Sequence, residues 1–189
     1  MFVSRSVTAF ALTLLLSGSV AHAAPSIADL NVHPSDLPSG TRALSSELYT
    51  AAQYDALLQI QSGTSAAAGI QQVNIRTFAV GPGQNVTVLA ELFQFRSSGT
   101  AHTRYVLFST AAHKGAPGTT FLPMTGIGDE SIATSGVSPV GKRTPQATAF
   151  LRRGAYVGAV LISGTGKILP ASAVIKLARM VDTRIRAAH

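Results

Sequence analysis

Apolar residues in this chain recur with two periods, and the switches between them divide it into elements. Val86, Val88, Ala90 and Leu92 alternate with Thr87, Leu89, Glu91 and Phe93, so both faces of an extended segment are mostly apolar. That predicts a strand covered on both sides, at an interior place in a sheet. Val73 to Val80 reads as its partner, because Gly81-Pro82-Gly83-Gln84-Asn85 between them has turn chemistry. A second hairpin is expected from Thr148 to Arg152 and Ala155 to Ser163, around Arg153-Gly154, where glycine supplies a positive φ.

Helical spacing governs three further segments. Ser45 or Ser46 can cap free amides, Glu47 suits the positive end of a helix, and Leu48, Ala51, Ala52 and Leu58 share a stripe. This predicts a helix from Ser45 or Ser46 to the break at Ser62 to Gly69. Ser97 or Ser98 caps a second helix with the stripe Ala101, Tyr105, Phe108 and Ala112, ended by Gly115 and Pro117. The third begins near Pro170 and carries Val174, Leu177, Ala178, Val181 and Ile185 on one face, with Lys176, Arg179, Asp182 and Arg186 opposite. Thr119 to Val140, broken by Gly126, Gly128, Gly136 and Pro139, is expected to hold one or two short strands and a substantial loop. Hairpins separated by helices predict an α+β fold: an antiparallel sheet of about five or six strands with about three helices packed on it, not a doubly wound nucleotide fold.

The N-terminus follows another logic. Arg5 precedes the short apolar run Val7 to Leu16, and Ala21-His22-Ala23 places small residues where a signal peptidase reads. A membrane-spanning helix needs about 20 apolar residues, roughly twice this run. The expected organisation is a signal peptide over 1–23 cleaved near Ala23, an extended Pro- and Ser-rich segment over 24–44, and a single α+β domain over 45–189. Such a chain works in the periplasm or outside the cell.

Composition narrows the chemistry. The chain of 189 residues has no cysteine, which removes disulfides, thiolate metal sites, iron–sulfur clusters, cysteine nucleophiles and a lipid-modified N-terminus. It has no tryptophan and is 6% aromatic, which leaves little surface for stacking sugars or bases. The net charge of +7 survives loss of the leader almost intact, since only Arg5 goes with it.

Several short motifs carry a family likeness. Asp36-Leu37-Pro38-Ser39-Gly40, Gly126-Ile127-Gly128-Asp129-Glu130-Ser131, Phe150-Leu151-Arg152-Arg153-Gly154-Ala155-Tyr156-Val157 and Leu177-Ala178-Arg179-Met180-Val181-Asp182-Thr183-Arg184 resemble a pattern in exported bacterial proteins. These are similar to Mog1/PsbP-like secreted lipoproteins and to the extracytoplasmic sensor domains of some receptor kinases. The resemblance implies the same α+β fold and a binding or sensing role without catalysis. This chain departs from it in lacking a lipidation cysteine, a kinase portion and the cysteine pairs of the kinase sensors.

Asp129-Glu130 is the only adjacent pair of acids. Neighbours on a strand face opposite ways, so they are poorly placed to share acid–base work. The expected role of Asp129 is a turn, its carboxylate bonding backbone amides or an arginine, with Arg152 or Arg153 the first partner to test. The alternative is a polar pocket at that loop. His33, His102, His113 and His189 show no metal-binding spacing. No Gly-x-Ser-x-Gly elbow, Ser-x-x-Lys motif or phosphate-cradling glycine loop is present, so no cofactor is expected and an enzyme, hydrolytic or other, is the weakest class.

The basic residues form two groups: Lys142, Arg143, Arg152 and Arg153 around the second hairpin, and Lys176, Arg179, Arg184 and Arg186 on the last helix. The plain reading is a solvated surface. The functional one is a ligand or anion site made of Arg152, Arg153, Lys142, Arg143, Asp129 and Glu130. Together these observations predict an exported, non-catalytic binding or sensing module of the bacterial envelope, its partner a small molecule, an envelope polymer or a protein. The rival is a surface-association protein whose basic face meets anionic wall polymer or lipid head groups, with peripheral membrane contact. Export and scarce aromatics argue against nucleic acid.

Overall fold

The computed structural model describes residues 25–62, 68–115, 118–138 and 144–189. The expected leader and the pair Lys142 and Arg143 lie outside the described residues. The strands are β1 (Arg42–Thr50), β2 (Ile70–Val80), β3 (Val86–Phe95), β4 (Thr120–Leu122), β5 (Glu130–Val137), β6 (Pro145–Arg153) and β7 (Tyr156–Ser163). The α-helices are α1 (Ile27–Leu30), α2 (Ala51–Ser62), α3 (Ser98–His113) and α4 (Ala173–Ala187). All strands join one antiparallel sheet in the order β1-β2-β3-β7-β6-β5-β4. The fold is therefore α+β and built from hairpins, as the patterning predicts, with seven strands and four α-helices among the described residues.

Strand alternation divides the apolar residues between two cores. Val86, Val88, Ala90 and Leu92 of β3 join Ala149, Leu151, Val160 and Ile162 beneath α1 and α4. Phe93, Phe95, Val73 and Val157 face the other way, with Tyr54 of α2 and Ala101 and Tyr105 of α3. The two predicted hairpins, β2–β3 and β6–β7, lie side by side through the β3–β7 pairing, Leu89 opposite Leu161. Both faces of these inner strands are covered because both are apolar. On α4 the expected stripe is buried in full, and each such aliphatic side chain contributes about 1.5–3 kcal/mol. Ser97 caps α3 by accepting from Thr100 N at 3.2 Å.

The helix expected from Ser45 or Ser46 starts only at Ala51. Residues 42–50 form the edge strand β1, with Tyr49 opposite Val73. Leu44 and Leu48 mimic helical spacing yet remain 48% and 52% exposed, so that spacing marks no buried face. The cap lies at Thr50 instead. Its hydroxyl accepts from Gln53 N at 3.4 Å while Gln53 Oε1 accepts from Thr50 N at 2.9 Å, a reciprocal box.

The segment expected to be extended also holds structure. Ser26 and Asp29 box α1, and Pro34–Asp36 makes a single 3-10 turn. This strap lies on the α4 side of the sheet. Buried Asn31 donates from Nδ2 to Asn74 Oδ1 (2.8 Å), Asn74 O (3.1 Å) and Ala90 O (3.2 Å). Arg184 of α4 grips Asp36 from two nitrogens, at 2.6 and 2.8 Å, and donates to Asn31 O at 2.9 Å.

Candidate functional site

The Gly126-to-Glu130 loop turns into β5 beside the β6–β7 hairpin. Buried Ile127 anchors it in the α4 core. Gly128 sits at φ +65, where a Cβ would fall 2.6 Å from Arg152 O, so only glycine fits. Asp129 N then donates to Arg152 O at 2.7 Å, which aims the next two acids at the hairpin.

Asp129 Oδ2 accepts from Gly154 N at 2.8 Å and lies 3.1 Å from Arg152 Nη1, while Oδ1 accepts from Arg153 Nη1 at 3.0 Å. Glu130, directly opposite Arg152 in the β5–β6 register, accepts from its Nε and lies 2.9 Å from His102 Nδ1 of α3. Arg153 points to the other face. It meets Asp182 of α4 with Nε to Oδ1 at 2.8 Å and Nη2 to Oδ2 at 3.1 Å, and Arg186 Nη2 adds a contact to Oδ2 at 2.8 Å. One chain of polar contacts thus runs His102–Glu130–Arg152–Asp129–Arg153–Asp182–Arg186, from α3 around the hairpin corner to α4, its links from Glu130 onward being ion pairs.

These groups fix one another's charge. Burial alone would raise the Asp182 carboxyl, but hydrogen bonds from Arg153, Arg186 and the Gly128 backbone outweigh it and hold the pKa below its ordinary value. For Glu130 the same opposition applies, desolvation against bonds from His102 and Arg152, and the net shift is again downward. Tyr105 nearby is pushed up to about 12, first by burial and then by the Glu130 charge. Three carboxylates face three guanidinium groups here, so the corner is electrically balanced rather than basic.

The structure therefore brings together Asp129, Glu130, Arg152 and Arg153 of the residues singled out by sequence, and joins Asp182 to them. Helical spacing puts Asp182 on the polar face of the last helix, yet its side chain is 1% exposed. Its position four residues after Ala178 and three before Ile185 places it at the margin of the apolar stripe, and that spacing is the signal for it. Of the basic residues expected on α4, Arg184 and Arg186 are paired with Asp36 and Asp182. Lys176 and Arg179 are exposed and have no ion-pair partner among the described residues.

Beside the network, a pocket of about 520 Å3 opens between the hairpin and the end of α4, lined by Asp129, Arg153, Tyr156, Ile185, Arg186 and His189 among others. The Tyr156 and His189 rings lie 5.5 Å apart across it. Among the described residues no group of three or more His, Cys, Asp or Glu is placed to hold a metal ion.

The fold is similar to one already solved. It matches the extracellular domain of PknH from Mycobacterium tuberculosis with a TM-score of 0.59 at 13% identity, over 83% of this chain and 93% of that one. At that identity the likeness is one of fold, in keeping with the resemblance to extracytoplasmic sensor domains. No family model matches the sequence, and no curated protein does. No helix among the described residues is long and apolar enough to cross a membrane.

Proposed function

We propose that the protein is an extracytoplasmic, non-catalytic binding or sensing module of the bacterial envelope that recognises a small ligand at the hairpin corner. The ion-pair chain carries this reading. A general acid or base needs a proton that moves near the working pH. Asp129, Glu130 and Asp182 are instead each tied to an arginine, and the latter two are held ionised well into acid. What the network braces is a pocket whose walls, Tyr156 and Ile185, are apolar and whose rim carries Arg186 and His189. Of the Arg186 guanidinium only Nη2 is bonded among the described residues, which leaves donors for an acidic group on an otherwise apolar ligand. The fold likeness to an extracellular domain and the N-terminal sequence pattern support the compartment.

The rival reading, attachment to anionic polymer or lipid, draws on Lys176 and Arg179 and on Lys142 and Arg143. A thermal-shift screen of small carboxylates and phosphates against the intact protein and Arg186→Gln separates them. The module reading expects saturable stabilisation by one compound class, little changed by salt and lost in the variant. Binding to anionic vesicles that falls steeply with salt, with no compound shifting the melting point, would overturn it.

A further inference from the structure

A second cavity, on the opposite side of the sheet, is built from uncharged groups. It lies between the C-terminal half of α3 and the outer strands β5 and β6, and its volume is about 250 Å3. We infer that this cavity is a binding site for a neutral polyhydroxylated ligand of hexopyranose size. The proposal rests on the reading of the protein as a binding module and names a ligand class and site for it.

The sheet register assembles the floor. Thr134 and Thr148 are directly opposed across β5 and β6, Gly136 and Gln146 form the next pair on the same face, and Phe150 lies two residues along from Thr148. Hydroxyl and amide groups both donate and accept, as the hydroxyls of a sugar do, so either partner can adjust its direction. Phe150 supplies the apolar wall, and its ring is fixed by stacking on Phe108 with centroids 5.1 Å apart and planes at 23°. One ring is enough for the C–H face of a single sugar, even in a chain poor in aromatics.

Two features keep the space open. Gly136 has no positive φ, so its backbone conformation does not require glycine. A Cβ there would stand 3.5 Å from Thr119 Cα and occupy the gap between the floor and the approach to β4. Ala111 and Ala112 on the helix side add only a methyl group each.

Charge defines the selectivity. No Asp, Glu, Lys, Arg or His lines this cavity among the described residues, in a chain of net charge +7. A charged ligand would lose hydration here without a counter-charge, whereas a neutral one exchanges water bonds for Thr and Gln bonds at little cost.

The test is an amide chemical-shift titration of the intact protein with glucose, galactose and mannose, with glucuronate as the charged analogue and maltotriose as a chain end. The expected result is saturable shifts centred on Thr134, Gly136 and Thr148 with at least one neutral hexose, unchanged by salt, and binding of glucuronate weaker by about tenfold or more. Thr148→Val, which keeps the volume, should weaken binding by about tenfold, and Gly136→Val should abolish it. Preserved shifts elsewhere report that each variant is folded. Tighter binding of maltotriose than of the free hexoses identifies a glycan end as the source, and the reverse a free sugar. Absence of shifts with every neutral sugar, or equal binding of glucuronate, overturns the proposal. Shifts centred on Tyr156 and Arg186 overturn it while leaving the module reading intact.

Discussion

Arg153 and Asp182 meet side by side across the gap between β6 and α4, with two parallel hydrogen bonds of 2.8 and 3.1 Å. Paired geometry of this kind is the strongest form of an arginine–carboxylate contact. The Asp182 side chain is 1% exposed and Arg153 25%, so the pair lies largely out of solvent. Removing the acid takes two hydrogen bonds from Arg153, which keeps Asp129, and takes from Arg186 its carboxylate partner.

Asp182→Ala is therefore expected to cost about 2 kcal/mol, the scale of losing hydrogen bonds between charged groups. Urea denaturation of the variant against wild type measures it. Arg186→Ala should cost much less, since that side chain is 55% exposed. Equal losses in the two variants would refute the ranking.

Acid tests the same network through its protons. Asp182, Glu130 and Asp36 all have pKa values below their ordinary ones in the folded chain. Their stabilisation is fully present above the unfolded values of 3.8 for Asp and 4.5 for Glu and is lost as pH falls through the lower folded values. Stability should be flat from neutrality down to about pH 5 on this account and then drop. In Arg153→Gln the drop should be shallower, because Asp182 loses its main hydrogen-bonding partner and its folded pKa rises back toward 3.8. An acid limb unchanged in the variant would sink this account.

Glu91 predicts the opposite sign. It projects from β3 toward α2 and α3, and burial raises its carboxyl pKa above 4.5, a shift the Arg104 charge only partly opposes. Folding therefore favours the protonated form, so this contribution is complete below pH 4.5 and disappears as pH rises through the folded value. Glu91→Gln should stabilise the protein at pH 7 by about 1 kcal/mol, with the gain vanishing toward pH 4. Melting curves at the two pH values decide it, and a gain independent of pH would count against the burial argument.

Asn31 holds the N-terminal strap by three acceptors, all in the core. Asn31→Ala leaves Asn74 Oδ1 and two carbonyls short of a donor and is expected to cost about 2 kcal/mol. Faster amide exchange confined to residues 26–38 would show that the strap is what loosens.

The parts of the fold that a single chain segment determines were legible in the sequence. The double-faced pattern of β3, the stripe of α4 and the glycine turn at Arg153-Gly154 each follow from local spacing, and each stands where expected. β1 reads as helix from its own residues because its identity depends on pairing with β2, while Leu44, Leu48, Ala51 and Ala52 together imitate a helical stripe. The Thr50-x-x-Gln53 box was the local sign of the true helix start. At the site, the pairing of Asp129 with Arg152 and Arg153 follows from the hairpin, since the loop enters β5 beside it. Asp182 was not legible as a buried partner, because nothing local tells a charged residue at a stripe's margin that an arginine from another element will meet it.

The grip of Arg184 on Asp36 joins residues 148 apart in the sequence. During synthesis from the N-terminus, Asn31 can find its acceptors on β2 and β3 early, but Asp36 has no arginine to hold it until the last helix has been made. Contacts of such separation are slow to form, because the entropy of closing the intervening chain is lost before any bond repays it. The order of folding is set accordingly: the two central hairpins can assemble early, and docking of α4 over the strap is the closing step. A chain shortened by its final two turns would keep its hairpins, lose the latch, and hold the strap through β2 and β3 alone.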